Sequence, residues 1–246
     1  MKAAVESRRF DLNKEDYIVK KRLIVFIAIA ILAIPTICSA MPPSPGPYVS
    51  GFLGVSLPED ADVTSTQFGP HAKTFNDRVE FDPGIQIGGS GGFDFGFLRI
   101  EGELSYKNGE ISSITEKNSE TRIANVDGRV GVLAMMFNAF LDIRNATTVT
   151  PYIGGGFGFA TLYLSDTFGT ETDTGYRTIL YESDEDTVFA YQVGAGLEIA
   201  LTKKFSLDFG YRYFGTAKAN FNENSFTATE LKFESHNASV GFRVKF

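Results

Sequence analysis

The feature of this sequence that most constrains its fold is a strict alternation of apolar residues with polar or small ones over long segments. The clearest segment, FAYQVGAGLEIAL, spans residues 189–201, and its odd-numbered positions hold only aromatic or aliphatic side chains. A period of two is typical of a β-strand, and thirteen residues exceed the usual strand of about five or six. The pattern therefore predicts long strands that each present one apolar face.

The same alternation recurs in seven further segments, which predicts eight strands in all. These segments span residues 48–57, 84–93, 97–107, 125–136, 151–163, 205–213 and 237–246. Long polar connections alternate with short turns, so we expect consecutive strands to be antiparallel, with both ends of the array on the short-turn side. The long connections are residues 58–82, 108–122, 165–187 and 215–233, and the short ones are residues 94–96, 142–150 and 202–204.

The second face of these strands carries glycines together with ionised residues. In a sandwich that face would meet water, where glycine weakens a strand, whereas in a small closed barrel it is the interior, which glycines leave room to fill. Lipid offers no hydrogen-bond partners, so strands that span it must close into a barrel. The sequence therefore predicts an all-β, eight-stranded antiparallel up-and-down transmembrane β-barrel. An exported β-sandwich and a lipocalin-like binder remain alternatives.

Ten charged residues are predicted to lie inside this barrel, with acids and bases in balance. Buried charges are costly unless they are paired, so we expect a salt-bridge network that plugs the lumen. The alternative is a small-solute pore of low conductance. The ten residues are Arg99, Glu101, Glu103, Asp127, Arg129, Glu198, Asp208, Arg212, Arg243 and Lys245.

The N-terminal region predicts export. In KKRLIVFIAIAILAIPTICSA, residues 20–40, a basic cluster precedes an apolar run and then small residues, as in a secretory signal peptide cleaved after Ala40. The run is shorter than the ~20 apolar residues of a membrane anchor, which is the alternative. We expect residues 1–40 to be the signal peptide, 41–46 a short periplasmic leader and 47–246 the barrel, with a start near Val19 left open.

The charge and cysteine content of the sequence limit which binding partners and cross-links the protein can have. The chain has 23 Lys+Arg against 30 Asp+Glu, and this acidic balance argues against nucleic acid. Its single cysteine, Cys38, falls in the predicted signal peptide, so the barrel has no disulfide. The acidic segment ESDED is most simply a solvated, repulsive surface. As the alternative, Asp184, Glu185 and Asp186 are weak candidate ligands for divalent cations that bridge lipopolysaccharide. We expect no cofactor.

Several segments resemble the eight-stranded outer-membrane barrels grouped with the OmpA transmembrane domain and the bacterial surface antigens, the "porin family" of outer membrane proteins. They are LRIEGELSYK, FNAFLDI, PYIGGGFGFA, YQVGAGLEIAL, SLDFGYRY and the terminal VGFRVKF. The resemblance implies a monomer in the outer membrane of a Gram-negative bacterium, with contacts to lipid and lipopolysaccharide. It also implies that Phe246 is read by the outer-membrane assembly machinery, and that the role is structural, antigenic or adhesive, with a host or matrix ligand at the long connections.

Catalysis is the third hypothesis for function. Some barrels of this size modify lipids and need a histidine near the outer rim, and this chain has two, His71 and His236. His236 adjoins Ser235, so a lipase-like pair is geometrically open. Neither histidine lies in a recognisable catalytic motif, and the expectation is a protein that is not an enzyme.

Overall fold

The computed structural model describes residues 45–67, 73–116, 122–124, 126, 128–170, 177–181, 183–221 and 227–246. The predicted signal peptide and residues 41–44 of the predicted leader lie outside these ranges. Within them, no helix is long and apolar enough to cross a membrane. The strands are β1 (Gly46–Pro58), β2 (Ala61–Gln67), β3 (Lys73–Asp82), β4 (Gly84–Asp94), β5 (Leu98–Glu116), β6 (Arg122–Ala124), β7 (Arg129–Asp142), β8 (Val149–Leu164), β9 (Thr167–Thr170), β10 (Arg177–Tyr181), β11 (Asp184–Ala200), β12 (Phe205–Phe221) and β13 (Thr227–Lys245).

Eight of these strands close into an antiparallel ring. The order is β1, β4, β5, β7, β8, β11, β12 and β13, and β13 pairs back onto β1. The closing register places Phe52 opposite Gly241, while the predicted hairpin of β11 and β12 places Val193 opposite Tyr213. The predicted eight-stranded antiparallel barrel is therefore confirmed.

The short connections agree with the sequence, and the first of them shows how the chain turns. Gly96 has φ +103°, a conformation that glycine adopts without strain, and its amide donates to the Asp94 carboxylate at 2.7 Å. The Arg144 guanidinium from the neighbouring turn reaches both oxygens of Asp94 at 2.8 Å. Adjacent turns are thus tied together at this end of the barrel.

The prediction of long polar connections was wrong over much of their length, because the strands continue there. β2 and β3 prolong β1 and β4, and β5 and β12 run on to Glu116 and Phe221. In these prolongations single apolar residues such as Val63 and Val79 alternate with polar ones, and their side chains point inward and are buried. Because their outward residues are polar, these segments have a low mean hydropathy and resemble connections in the sequence.

The lumen has two parts of opposite character. We call the half nearer the short turns the lower lumen; it is lined by polar and charged side chains. The half nearer the long connections, here called the upper lumen, is filled by a buried apolar cluster. That cluster comprises Ala61, Val63, Val79, Ile111, Ile114, Val130, Val132, Ala134, Met136, Ala160, Leu162, Leu164, Ala190, Phe214, Ala219, Phe221, Leu231 and Phe233.

Strand β7 shows that its faces were predicted the wrong way round. The sequence interpretation placed Val130, Val132 and Met136 toward lipid, but these side chains are at most 2% exposed and point into the lumen. Met135 and Phe137, from the other face, are 68% and 51% exposed. Both faces of this strand are apolar, so alternation alone could not tell inside from outside.

A continuous apolar band covers the outside of the ring. Its members alternate with the lumen-facing residues along each strand, as a lipid-facing surface requires. Its members include Leu53, Val55, Ile85, Ile87, Leu104, Met135, Phe137, Ile153, Phe157, Phe159, Val193, Val240 and Phe242.

Candidate functional site

The lower lumen contains a chain of ion pairs centred on Glu198 of β11. The Arg243 guanidinium of β13 binds the Glu198 carboxylate with one nitrogen and Asp208 with another, the latter at 3.0 Å. Lys245 lies 3.5 Å from Glu198 and 2.7 Å from Asp94. The Ser206 hydroxyl donates to Glu198 at 2.7 Å. Residues from four strands of the ring are thereby joined across the interior.

Arg99 of β5 reaches the same centre from the opposite wall. Its Nε lies 3.0 Å from the Asp142 carboxylate and its Nη1 lies 3.8 Å from Glu198. The guanidinium is held over the rings of Tyr152 and Phe140, at 4.6 and 5.2 Å from their centroids. Arg99 is only 1% exposed, so its charge is neutralised by protein groups.

A second group of pairs lies one layer higher, around Arg212 of β12. The guanidinium binds Glu103 and lies 3.8 Å from Glu101. The Asn138 side chain donates to Glu103 at 2.9 Å, and Gln192 donates to the Asn138 carbonyl oxygen at 2.8 Å. Each carboxylate in this layer therefore has several donors, which is what allows a charge to be buried in a narrow lumen.

Lys107 marks the boundary between the two parts of the lumen. It is 2% exposed, donates to the Ser105 hydroxyl at 3.1 Å and lies 4.2 Å from the centroid of the Phe214 ring. A cation held over an aromatic face gains electrostatic stabilisation without a formal counter-ion. Above this residue the lumen is apolar.

Glycines on the inward face make room for the large polar side chains. A Cβ on Gly196 would collide with the Tyr152 hydroxyl, which donates to Asp208 at 2.7 Å. The absence of a side chain at Gly196 is therefore what allows Tyr152 of β8 to lie over β11 and reach Asp208 on β12.

Eight of the ten predicted interior charges lie in the lumen and contact one another or a shared partner. Arg129 does not: it lies on the outer surface, 59% exposed, paired with Glu110 at 3.2 Å. The reason is the inverted face of β7, which turns Val130 inward and its neighbour outward. The side chain of Asp127 lies outside the described residues.

Sequence reasoning missed several members of the lumen network. Asp94 was read as part of a turn, Asp142 as the start of one, and Lys107 as the end of a strand. The uncharged partners Asn138 and Gln192 were also not singled out. For Asp94, Lys107 and Gln192 a signal was present, because each has the inward parity of its strand. Asn138 and Asp142 gave no such signal, because they lie on β7, whose faces alternation could not tell apart.

The outer rim of the ring holds a polar cluster that faces away from the lumen. The Tyr211 hydroxyl and His236 Nδ1 are 2.6 Å apart, and His236 Nε2 lies 2.8 Å from the Glu59 carboxylate. The rings of Tyr211 and His236 are stacked, with centroids 6.0 Å apart. Ser235 is buried inside the barrel, so it and His236 point in opposite directions and do not form the lipase-like pair. His71 lies outside the described residues.

Glu234 extends this cluster above the ring. Its carboxylate accepts hydrogen bonds from Lys232 at 2.9 Å and from the Tyr213 hydroxyl. These bonds, that from Lys232 first, lower the pKa of the Glu234 carboxyl, and the same contact raises the pKa of Lys232. The Lys232–Glu234 pair of β13 is therefore ionised at neutral pH, and the hydrogen bond from Tyr213 joins β12 to it.

The candidate metal ligands do not converge on one point. Asp184 and Glu185 are consecutive residues of β11 and lie on alternate faces, and the Asp186 carboxylate accepts the Asn220 backbone amide at 2.8 Å. In the part of the chain that the structure describes, no group of three or more acidic, histidine or cysteine side chains could hold a metal ion.

Comparison with known proteins identifies the family. The model of the outer membrane protein beta-barrel domain matches residues 25–246. The chain belongs to this outer membrane β-barrel family. Outer membrane protein PagN of Salmonella typhimurium is 28% identical over 225 residues, which cover 83% of this chain and 89% of PagN.

The structure of OprG supports this fold, and a second solved structure is similar over most of its length. The outer membrane protein OprG of Pseudomonas aeruginosa matches with a TM-score of 0.57 and 13% identity, and the match covers 84% of this chain and 99% of OprG. Neisserial surface protein A matches with a TM-score of 0.44 and 18% identity, covering 82% of this chain and 97% of that one.

Membership of the outer membrane β-barrel family shows that the apolar band faces lipid. The protein resides in the outer membrane of a Gram-negative bacterium, with Leu53, Ile87 and Met135 among the side chains that meet lipid. By the predicted orientation the lower lumen faces the periplasm, and the upper lumen lies at and above the outer lipid surface. The rim cluster of Tyr211, His236 and Glu59 then sits where acyl chains give way to head groups, a position that aromatic side chains favour.

Proposed function

We propose that this protein is a non-enzymatic structural surface protein whose lumen is closed and whose long connections contact ligands outside the cell. The observation that carries the proposal is the continuation of the barrel wall above the apolar band. There the strands enclose the buried apolar cluster, with Phe221, Phe233 and Leu162 at most 1% exposed. Such a core holds the wall rigid in water and presents the connections at a fixed height.

The charge of the raised wall supports a role in contact with other surfaces. Exposed acidic residues on it include Asp62, Glu110 and Glu185, while the interior charges are held in the lumen. An acidic surface excludes anionic polymers and favours ligands with basic groups.

Closure of the lumen supports the absence of transport. The charged lower lumen and the apolar upper lumen block the same axis by different means, and an eight-stranded ring is only wide enough to hold its own side chains. The opposed directions of Ser235 and His236 support the absence of a hydrolytic site at the rim.

Attachment of cells that display the protein tests this proposal. Residues 68–72, 117–121, 171–176 and 222–226 connect the raised strands, and each would be replaced by a short Gly-Ser linker in a non-adherent Gram-negative strain. We expect the full chain to confer attachment to epithelial cells or matrix-coated wells, and at least one shortened variant to lose it while still folding.

The same replacement of residues 202–204, a short turn on the opposite side of the barrel, is the matched control and should leave attachment unchanged. Heat-modifiable migration on gels reports folding of each variant. No attachment by the full chain, or equal attachment after all four connections are shortened, would contradict the adhesive role.

A further inference from the structure

The barrel wall contains a seam between its first two strands. β1 pairs with β4 as far as Ser56 opposite Gly84, and β2 pairs with β3 from Ala61 opposite Val79. Both ladders have the same register, yet the four pairs between them, residues 57–60 opposite 80–83, are missing. We call this interruption the seam.

Two prolines explain why the seam exists. Pro58 lies on one side and Pro83 on the other, and neither has an amide hydrogen to donate to a ladder. The inward face also changes parity here, from Ser56 to Ala61 on one strand and from Val79 to Gln86 on the other. A local change of parity is the mark of a bulge, which disrupts pairing and bends the strand.

The two flanks of the seam are held by different neighbours. On one side Pro58 pairs with Ser235 of β13, and the Glu59 amide donates to the Glu234 carbonyl at 2.9 Å. On the other side the chain from Glu80 to Asp82 pairs with β5. The flanks can therefore separate without loss of the ladders that hold each of them in the wall.

An ion pair joins the flanks on the outside. The Asp60 carboxylate and the Arg78 guanidinium are 2.8 Å apart, with their side chains 39% and 55% exposed. A pair so open to water contributes little stability, and salt screens it.

Apolar rings close the seam on the inside. A Cβ on Gly109 of β5 would lie 2.9 Å from Pro58 Cγ and 3.7 Å from Phe81 Cδ1, so both rings rest over this glycine. Phe81 also meets the Phe233 ring edge-on, with centroids 6.4 Å apart. Behind Phe81 lies a cavity of about 10 Å³ whose walls include Val63, Ile111 and Phe221.

The seam is continuous with the lipid-facing surface. Val55 and Ile85, the outward pair directly below it, are 47% and 64% exposed and belong to the apolar band. At the level of Leu57 lies His236 of the rim cluster, where acyl chains end. Pro58 and Phe81 therefore give the seam an apolar inner side that faces the apolar cluster, while Glu59, Asp60 and Asp82 are exposed on its outer side.

We propose that the seam is a lateral entry through which the acyl chain of an outer-leaflet lipid inserts into the upper lumen. The Phe81 ring turns away from the cavity and the chain takes its place against Val63, Ile111 and Phe221. The cavity is too small for the chain while Phe81 is in position, so the ring acts as the plug of the site. Only apolar contacts are exchanged, and the lipid head group stays at the rim.

A tryptophan in the cavity tests whether acyl chains arrive there. The chain has no Trp, so Phe221→Trp places a single indole on the cavity wall. The variant is refolded in phosphatidylcholine vesicles with plain or brominated acyl chains, because bromine quenches indole fluorescence on contact. We expect clear quenching by the brominated lipid.

Two further variants calibrate the quenching. Met135→Trp faces lipid and should be quenched most, whereas Phe140→Trp lies in the lower lumen at membrane depth and should be quenched least. Phe221→Trp no more quenched than Phe140→Trp would overturn the proposal. If Phe221→Trp fails to show heat-modifiable folding, Phe233→Trp, whose ring meets Phe81, takes its place.

Cross-linking the flanks tests whether the seam is the route. The β1–β4 register ends at Ser56 opposite Gly84, and its continuation by one residue would set Leu57 across the seam from Pro83. Leu57→Cys with Pro83→Cys is joined by a short bis-methanethiosulfonate in the Phe221→Trp background. The cross-link should abolish quenching and a reductant should restore it. The same cross-link between Val55→Cys and Ile85→Cys, the next outward pair, should leave quenching unchanged. Equal quenching before and after the Leu57–Pro83 cross-link would overturn the proposal.

Discussion

At the scale of single residues, Arg243 illustrates how the lower lumen holds its charges. Its side chain is 4% exposed and contacts two carboxylates, Glu198 and Asp208, on neighbouring strands. Each charge buried in the narrow lumen has lost its hydration and is stabilised by its partner instead. The loss of one charge therefore leaves the other without a counter-ion. The network is thus sensitive to the removal of any one member.

Replacement of Arg243 by leucine should destabilise the folded barrel strongly. Because Glu198 and Asp208 would stay buried without this partner, we expect a loss of about 3–5 kcal/mol. Arg129→Leu is the matched control, since its pair with Glu110 is exposed and is worth only ~0–1 kcal/mol. Urea unfolding of both variants in vesicles, followed by the gel shift, measures the difference; equal effects would contradict a paired interior.

The residues that sequence analysis placed correctly share one property. In β5, β12 and β13, ionised residues such as Glu103, Arg212 and Arg243 occupy one parity and apolar residues the other, so alternation fixes the inside. In β7 both parities are apolar, and Val130 was assigned to the wrong face along with its neighbour Arg129. What separates the faces there is the apolar upper lumen, a tertiary feature that a single strand does not encode.

At the scale of secondary structure, the final strand combines closure with an exposed end. β13 pairs with β12, β1 and β2, and Phe246 beyond it is 73% exposed, with its amide donating to the Pro47 carbonyl at 3.1 Å. Its side chain makes a small contribution to the folded barrel. Any large effect of its loss must therefore arise before folding is complete.

Deletion of Phe246 should impair assembly far more than stability. We expect a large fall in folded, heat-modifiable protein in the outer membrane of expressing cells, with little change in the unfolding midpoint of protein refolded in vesicles. Phe95→Ala is the control, because Phe95 is another exposed aromatic residue near the short turns, 52% exposed. Normal assembly without Phe246 would remove its predicted role as the signal for the assembly machinery.

The lengths of the elements were harder to predict than their number. The eight ring strands follow from alternation over 9–13 residues, but β5 and β13 each reach 19 residues. In the added parts the inward residues, such as Ile111 and Leu231, are separated by polar or small side chains that resemble a connection. Only the closure of the ring shows that those inward residues meet one another.

At the scale of the whole molecule, the proposed closure of the lumen depends on two kinds of side chain along one axis. Charges cross the lower lumen in pairs, and an apolar cluster fills the upper lumen, where the buried hydroxyl of Thr216 bonds to the Phe233 backbone. An ion that entered from the periplasm would have to displace bound counter-charges and then lose its hydration shell in the apolar half. The second step carries the larger barrier, because an isolated ion in apolar surroundings is strongly destabilised.

Planar bilayers should accordingly show no steady open current at neutral pH. The apolar cluster makes a sharper distinction: Arg243→Leu disturbs only the lower lumen and should still not conduct, whereas Phe214→Ser, which adds a hydroxyl and removes a ring from the upper lumen, should raise the frequency of brief openings. Sustained conductance by the unmodified protein would contradict the closed lumen.

The strands that continue above the apolar band also determine how much sequence change the long connections tolerate. Each long connection leaves and re-enters the barrel through strands already paired side by side, as where Gln67 of β2 lies opposite Lys73 of β3. Because its ends are held together, doubling the length of a connection adds only about 0.6 kcal/mol of closure entropy. Insertions and substitutions can accumulate there without disturbing the barrel, so under the proposed surface role these segments are where sequence variation would cost least.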